Sequence, residues 1–202
     1  MHKKLTISVL ASGEGTTLQA IIDAVKCNDL SASFALVISN NRESGALRRA
    51  GNGDIKTAHL SAATHPDAMQ LDQAICAALT AGKTDVVVLA GYMKKIGPIT
   101  LSAFRNRMIN THPALLPKFG GHGMYGNHVH RAVLAAGELE TGVSVHLVDD
   151  EYDTGAVIAQ ASVPVMMGDT VELLSARVQA TEKVLFVDTL QKIATGEILL
   201  PD

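Results

Sequence analysis

The chain has 202 residues, 47 % of them apolar, no tryptophan, and a formal net charge of −3. That length can bury a substantial core of Val, Ile, Leu and Ala, and residues 1–202 are expected to form a single domain. With no long basic run, the composition excludes a partner held by phosphate neutralisation, so no nucleic acid is expected. Lys3 and Lys4 ahead of an apolar run could open a signal peptide. The run is short, however, and LTISVLA (5–11) alternates like a first strand and leads directly into a glycine loop. No stretch is long enough to span a membrane. Cys27 and Cys76 lie in helical patterns, with neither a disulfide framework nor a zinc spacing. A cytoplasmic protein without a membrane partner is expected.

LQAIIDAV (18–25) then places Leu18, Ile21, Ile22 and Val25 on one helical face. FALVIS (34–39) reads as a second strand, and the segment near 55–60 as a third. Pro66 and Asp67 suit the first turn of a helix whose inward stripe is Leu71, Ile75, Ala78 and Leu79. DVVVLAGY (85–92) is a nearly continuous apolar run, the pattern of a strand covered on both faces. RMINTH (107–112) follows, then a helix near 128–137 ending at Gly137. VSVHLV (143–148) and AVIAQASVPV (156–165) are strands on either side of an acidic turn, and a last helix runs from about Thr170 to Ile193. The alternation predicts an α/β domain with a mostly parallel sheet, in which ligands bind beyond the carboxyl ends of strands.

Four groups of residues could carry chemistry. SGEGTT (12–17) joins a strand to a helix, where glycines and backbone N–H groups favour a phosphate. It is neither a dinucleotide fingerprint nor a Walker loop, and an ordinary turn is the alternative. Asn110 and His112 lie two apart in an extended segment, so both project to one face, and Pro113 holds His112 extended. An amide beside an imidazole suits an oxyanion and a proton transfer; a polar strand end bonded to a loop is the alternative. DDEYDTG (149–155) lacks calcium-loop spacing and resembles a solvated turn, though Asp153 could orient a histidine. Spacing alone does not bring it to His112. Gln179 and Glu182 share a face of the last helix, either solvated or lining a cleft. His122, His128 and His130 supply no convincing third zinc ligand, so no metal is expected.

Together SGEGTTLQAII, VVVLAGYMKKIGP, INTHPALLPKF, GVSVHLVDDEYDTGAVIAQ and RVQATE resemble the phosphoribosylglycinamide formyltransferases over nearly the whole chain. The resemblance implies a Rossmann-like sheet of about seven strands with helices on both faces. It also implies formyl transfer from 10-formyltetrahydrofolate to the amine of glycinamide ribonucleotide in purine synthesis, by a monomer or homodimer. The family's catalytic trio falls on Asn110, His112 and Asp153, and its phosphate loop on Gly15, Thr16 and Thr17. Its ribose contacts fall on Gln179 and Glu182, and its pterin site on Met93, Lys94, Lys95 and Ile96, with Asn110 also facing the cofactor. Thr17 stands where asparagine is common, Glu14 where a neutral residue is usual, and Lys95 at a normally apolar place. Segment 61–73 lacks an arginine that some relatives turn toward the cofactor. In this reading Asp153 keeps the His112 ring cationic, since free imidazole titrates near ~6.5. The rivals are a formyltetrahydrofolate hydrolase, transfer to methionyl-tRNA, and a non-catalytic folate- or nucleotide-binding module.

Overall fold

Val86–Leu89 is buried throughout, as a strand covered on both faces must be, and a seven-stranded sheet is built around it. The computed structural model describes residues 4–201, so the first three residues of the basic start lie outside the described residues. The strands are β1 (Leu5–Leu10), β2 (Ala32–Ser39), β3 (Thr57–His59), β4 (Val86–Leu89), β5 (Met108–His112), β6 (Glu140–Leu147) and β7 (Val157–Pro164). The helices are α1 (Thr16–Lys26), α2 (Gly45–Asn52), α3 (Ala68–Ala81), α4 (Pro98–Ala103), α5 (Asn127–Ala135) and α6 (Val171–Thr195). Strand order is β3-β2-β1-β4-β5-β6-β7. The first five strands are parallel, whereas β6 runs antiparallel to β5 and β7 to β6.

The two sheet faces bury different side chains because strand residues alternate. Ile7, Val9, Val86, Val88 and Ile109 pack with Leu18, Ile21 and Ile22 of α1 and with Phe186 and Leu190 of α6. Leu10, Ile38, Val87, Leu89 and Met108 pack with Ile75 and Leu79 of α3 and with Phe104 beyond α4. Val129 and Val133 of α5 join Leu174 and Val178 of α6 in a third cluster.

Three local expectations need correction. Asp67 is not inside the first turn of α3: it is the N-cap, its side chain accepting from the Gln70 N–H at 2.8 Å, and Pro66 precedes it. An Asp at that place satisfies an orphan helix donor better than it could one residue later. Helices α2 and α4 were not expected. GALRRAGN is short and polar with two glycines, and it holds as a helix because Ser44 caps the Leu47 N–H. The six residues of α4 are capped by buried Asp72, which accepts from the N–H groups of Ile99 and Thr100 at 2.7 and 3.0 Å.

The sheet reverses its winding between β1 and β4, where a ligand crevice opens. Two loops meet there. The Ser12 N–H donates to the Gly91 carbonyl at 3.0 Å, and the Met93 N–H to Ser12 Oγ at 2.7 Å. The loop after β1 and the loop after β4 are thus stitched into one wall.

Candidate active site

β5 carries Asn110 opposite His146 of antiparallel β6, and His112 opposite Ser144. This pairing sets up the polar cluster. Asn110 Nδ2 lies 3.1 Å from His146 Nε2, and His146 Nδ1 lies 2.8 Å from the Leu147 carbonyl. Nε2 lies between two groups: without a proton it accepts from the Asn110 amide, and with one it donates to Asp153. The second N–H of that amide remains available to a ligand.

The 149–155 loop folds back so that Asp153, with φ +59°, brings one oxygen to each ring. His112 Nδ1 is 3.3 Å from Oδ2, and His146 Nε2 is 3.5 Å from Oδ1. The Gly121 N–H also donates to Oδ2 at 3.0 Å. Gly155 permits the return, because a Cβ there would stand 1.9 Å from the Leu147 carbonyl oxygen.

Burial drives the Asp153 carboxyl up, yet the His146 bond, the His112 ring and the Gly121 N–H outweigh it and hold the group below the ordinary range. For His112 the balance falls the other way. Burial pushes this ring below the ordinary imidazole value, against the upward pull of Asp153 and of the Phe119 carbonyl, while His146 pushes it further down. This overturns the expectation of a resting cation: at neutral pH the His112 ring is neutral. Its other nitrogen, Nε2, lies 2.7 Å from the Phe119 carbonyl. Both nitrogens therefore face acceptors, an arrangement fully satisfied only when the ring gains a proton.

A cleft beside this cluster is lined by Leu89, Tyr92, Ile96, Asn110, His146, Val148 and Asp153, with Lys94, Lys95 and Tyr152 also on its wall. Its apolar side suits a flat ring. The Lys95 ammonium lies 5.6 Å from the Tyr152 ring centre, and His122 packs edge-on against that ring. Asn110 and Asp153 reach the cleft, and so does His146, which the sequence reading passed over. His112 is 3 % exposed and lies beneath it, touching Asp153. Lys94, Lys95 and Ile96 lie on the cleft wall. Met93 instead turns its side chain to solvent, and Tyr92 takes its place.

Gly15, Thr16 and Thr17 form the start of α1. Gly15 is the N-cap at φ +70°, with no side-chain cap, so the first helical N–H groups point outward as an anion would require. Glu14 is less awkward there than its charge suggests: Arg48 stands 3.6 Å from its carboxylate and Arg49 donates to its carbonyl. Thr17 donates to Glu182 Oε1 at 2.8 Å, so this loop and α6 share one place. Gln179 is exposed, and among the described residues its side chain bonds only Ser175 on its own helix.

Among the other histidines, His128 packs against Tyr125 on the surface. His130 is buried, and burial and His112 together hold its ring below the ordinary value. Among the described residues, no three His, Cys, Asp or Glu side chains converge as metal ligands.

The formyl transferase family model matches residues 5–190. Phosphoribosylglycinamide formyltransferase of Escherichia coli (strain K12) is 39 % identical over 194 residues, covering 96 % of this chain and 89 % of that protein. This chain belongs to the phosphoribosylglycinamide formyltransferase family. Solved structures agree across the whole family fold. Glycinamide ribonucleotide transformylase 1 from Symbiobacterium toebii superposes with a TM-score of 0.91 at 36 % identity, over 98 % of this chain and 91 % of that one. The Coxiella burnetii phosphoribosylglycinamide formyltransferase, in complex with CHES, gives 0.90 at 38 % identity, over 99 % and 92 %.

Proposed function

We propose that the protein transfers the formyl group of 10-formyltetrahydrofolate to the amine of glycinamide ribonucleotide. The observation that carries this reading is the convergence of Asn110, His146 and Asp153 on one cleft, with His112 bonded to Asp153 behind it. Leu89, Ile96 and Val148 offer a folded pterin an apolar wall. The α1 N-terminus, 12–17, offers the ribonucleotide phosphate its backbone donors, with Glu182 beside it for the sugar.

The folate supplies an activated formyl carbon, and negative charge grows on the formyl oxygen as the amine adds. The uncommitted N–H of Asn110 stabilises that oxygen, a contribution typically about 3 kcal/mol per donor. His146 holds the amide in the donating orientation. His112, neutral at rest, takes the proton that the attacking amine must lose. The resulting imidazolium gains the full attraction of Asp153 and passes its proton to the departing folate nitrogen, directly or through water. Because Nδ1 faces Asp153, Nε2 is the edge that meets the reactants, so the Phe119 carbonyl must give way when they enter.

The test supplies 10-formyltetrahydrofolate with and without glycinamide ribonucleotide and follows release of tetrahydrofolate. Release that depends on the amine is expected. Equal release without it would assign a hydrolase, and none in either case a binding module.

A further inference from the structure

Thr17 carries a single hydroxyl proton, and that proton is committed to Glu182 Oε1 at 2.8 Å. A phosphate oxygen is an acceptor, so the Thr17 side chain has only lone pairs left to turn toward it. Thr111 donates to the same Oε1 at 3.2 Å. Thr111 lies between Asn110 and His112 on the strand, with its side chain on the opposite face. One carboxylate oxygen thus takes two hydroxyl protons, one from the phosphate loop and one from the catalytic strand. Among the described residues, Oε2 takes no hydrogen bond.

Glu182 is largely desolvated, and burial raises its carboxyl while the two threonines pull it back down. A carboxylate so placed, with one oxygen saturated and one open, is an acceptor for a vicinal diol. We infer that Thr17 and Thr111 are positioning residues for the sugar: they aim Glu182 Oε2 at the ribose hydroxyls, and the phosphate is gripped at the start of α1 without the Thr17 hydroxyl. This rests on the reading above that Glu182 meets the ribose. It reassigns Thr17, which the family resemblance places on the phosphate. It also makes β5 the common support of both substrates, since the strand that presents Asn110 and His112 steadies the sugar anchor from behind.

The test compares Thr17→Val, Thr17→Ser, Thr111→Val, Glu182→Ala and the Thr17→Val/Glu182→Ala double variant. The readings are ribonucleotide Kd by calorimetry, kcat, both KM values, and competition by inorganic phosphate. Thr17→Val should raise the ribonucleotide Kd and KM about tenfold, the size of one lost hydrogen bond to a charged group. It should leave kcat within about twofold and inorganic phosphate competition unchanged. Thr17→Ser should restore binding, and Thr111→Val should act in the same direction. In the Glu182→Ala background, Thr17→Val should add nothing. Multiplying effects in the double variant, or a parallel loss of phosphate competition in Thr17→Val, would overturn the inference. Calorimetry needs no turnover, so failure of the transfer reaction itself would be seen separately in the amine-dependence assay.

Discussion

Asp153→Asn isolates charge from shape. The carboxylate lies 3.3 Å from His112 Nδ1 and 3.5 Å from His146 Nε2, with its side chain 11 % exposed. At 3.3 Å and an effective dielectric of about 20, the attraction between a unit carboxylate and a newly formed imidazolium is roughly 5 kcal/mol. The substitution leaves the ring as buried as before but without its countercharge; with part of the attraction recovered from the amide dipole, about 4 kcal/mol is lost from the protonated ring. At 1.36 kcal/mol per decade, the amide variant should lose about 10³ in kcat. The amide oxygen can still accept from the Gly121 N–H, so the loop should stay in place and the ribonucleotide KM should move by less than about threefold. The pH profile gives a second reading with a definite sign. Asp153 raises the His112 value, so its neutralisation lets the ring lose its proton at lower pH. Activity that requires the neutral ring should then have its acidic limb displaced toward acid. Stopped-flow measurement of tetrahydrofolate release from pH 5 to 9, for both proteins, tests both statements. A kcat within threefold of the parent, or a limb displaced toward alkali, would refute the reasoning.

Asn110→Ala should lower kcat by about 10²–10³ with little change in formyl-donor KM, because the donor acts on charge that appears only during reaction. His146→Ala should reproduce most of that loss, and the double variant should be far less than multiplicative if His146 works by holding the amide. Gly155→Ala places a methyl group 1.9 Å from the Leu147 carbonyl oxygen. It should displace the Asp153 loop and reduce turnover at least tenfold, although every chemical group is retained; wild-type turnover in this variant would show that the loop adapts. Folding stability should fall as the pH drops below ~6.5. His112 and His130 are both held below the ordinary imidazole range, so the unfolded chain takes up protons there while the folded one does not. Calorimetric Tm at pH 7.5 and 5.5 checks this, and an equal Tm at the two values would contradict it.

Most of the sheet was legible because its strands are either continuous apolar runs or clean alternations. Val86–Leu89 and Leu5–Leu10 could be read directly. The short helices were not, since α2 and α4 depend on caps and contacts, with Asp72 reaching across from a helix about 27 residues earlier. Asn110 and His112 were legible as a pair from their spacing of two. Asp153 was not, because its approach to His112 depends on a loop doubling back over two antiparallel strands, and only the family resemblance placed it. His146 was missed for a related reason. VSVHLV announces a strand, but the histidine becomes significant only when the antiparallel register sets it across from Asn110. The resting charge of His112 is not legible either, because the sequence shows its partner and conceals its burial.

Glu182 sits midway along a 25-residue helix, and Asn110 and His112 on a central strand, whereas Asp153, Tyr152 and His122 belong to loops. Under the proposed roles, the sugar anchor rests on a long helix backed by the strand that carries Asn110, and the loops that carry Asp153, Tyr152 and His122 form the part of the cleft that substitution can reshape without disturbing that anchor.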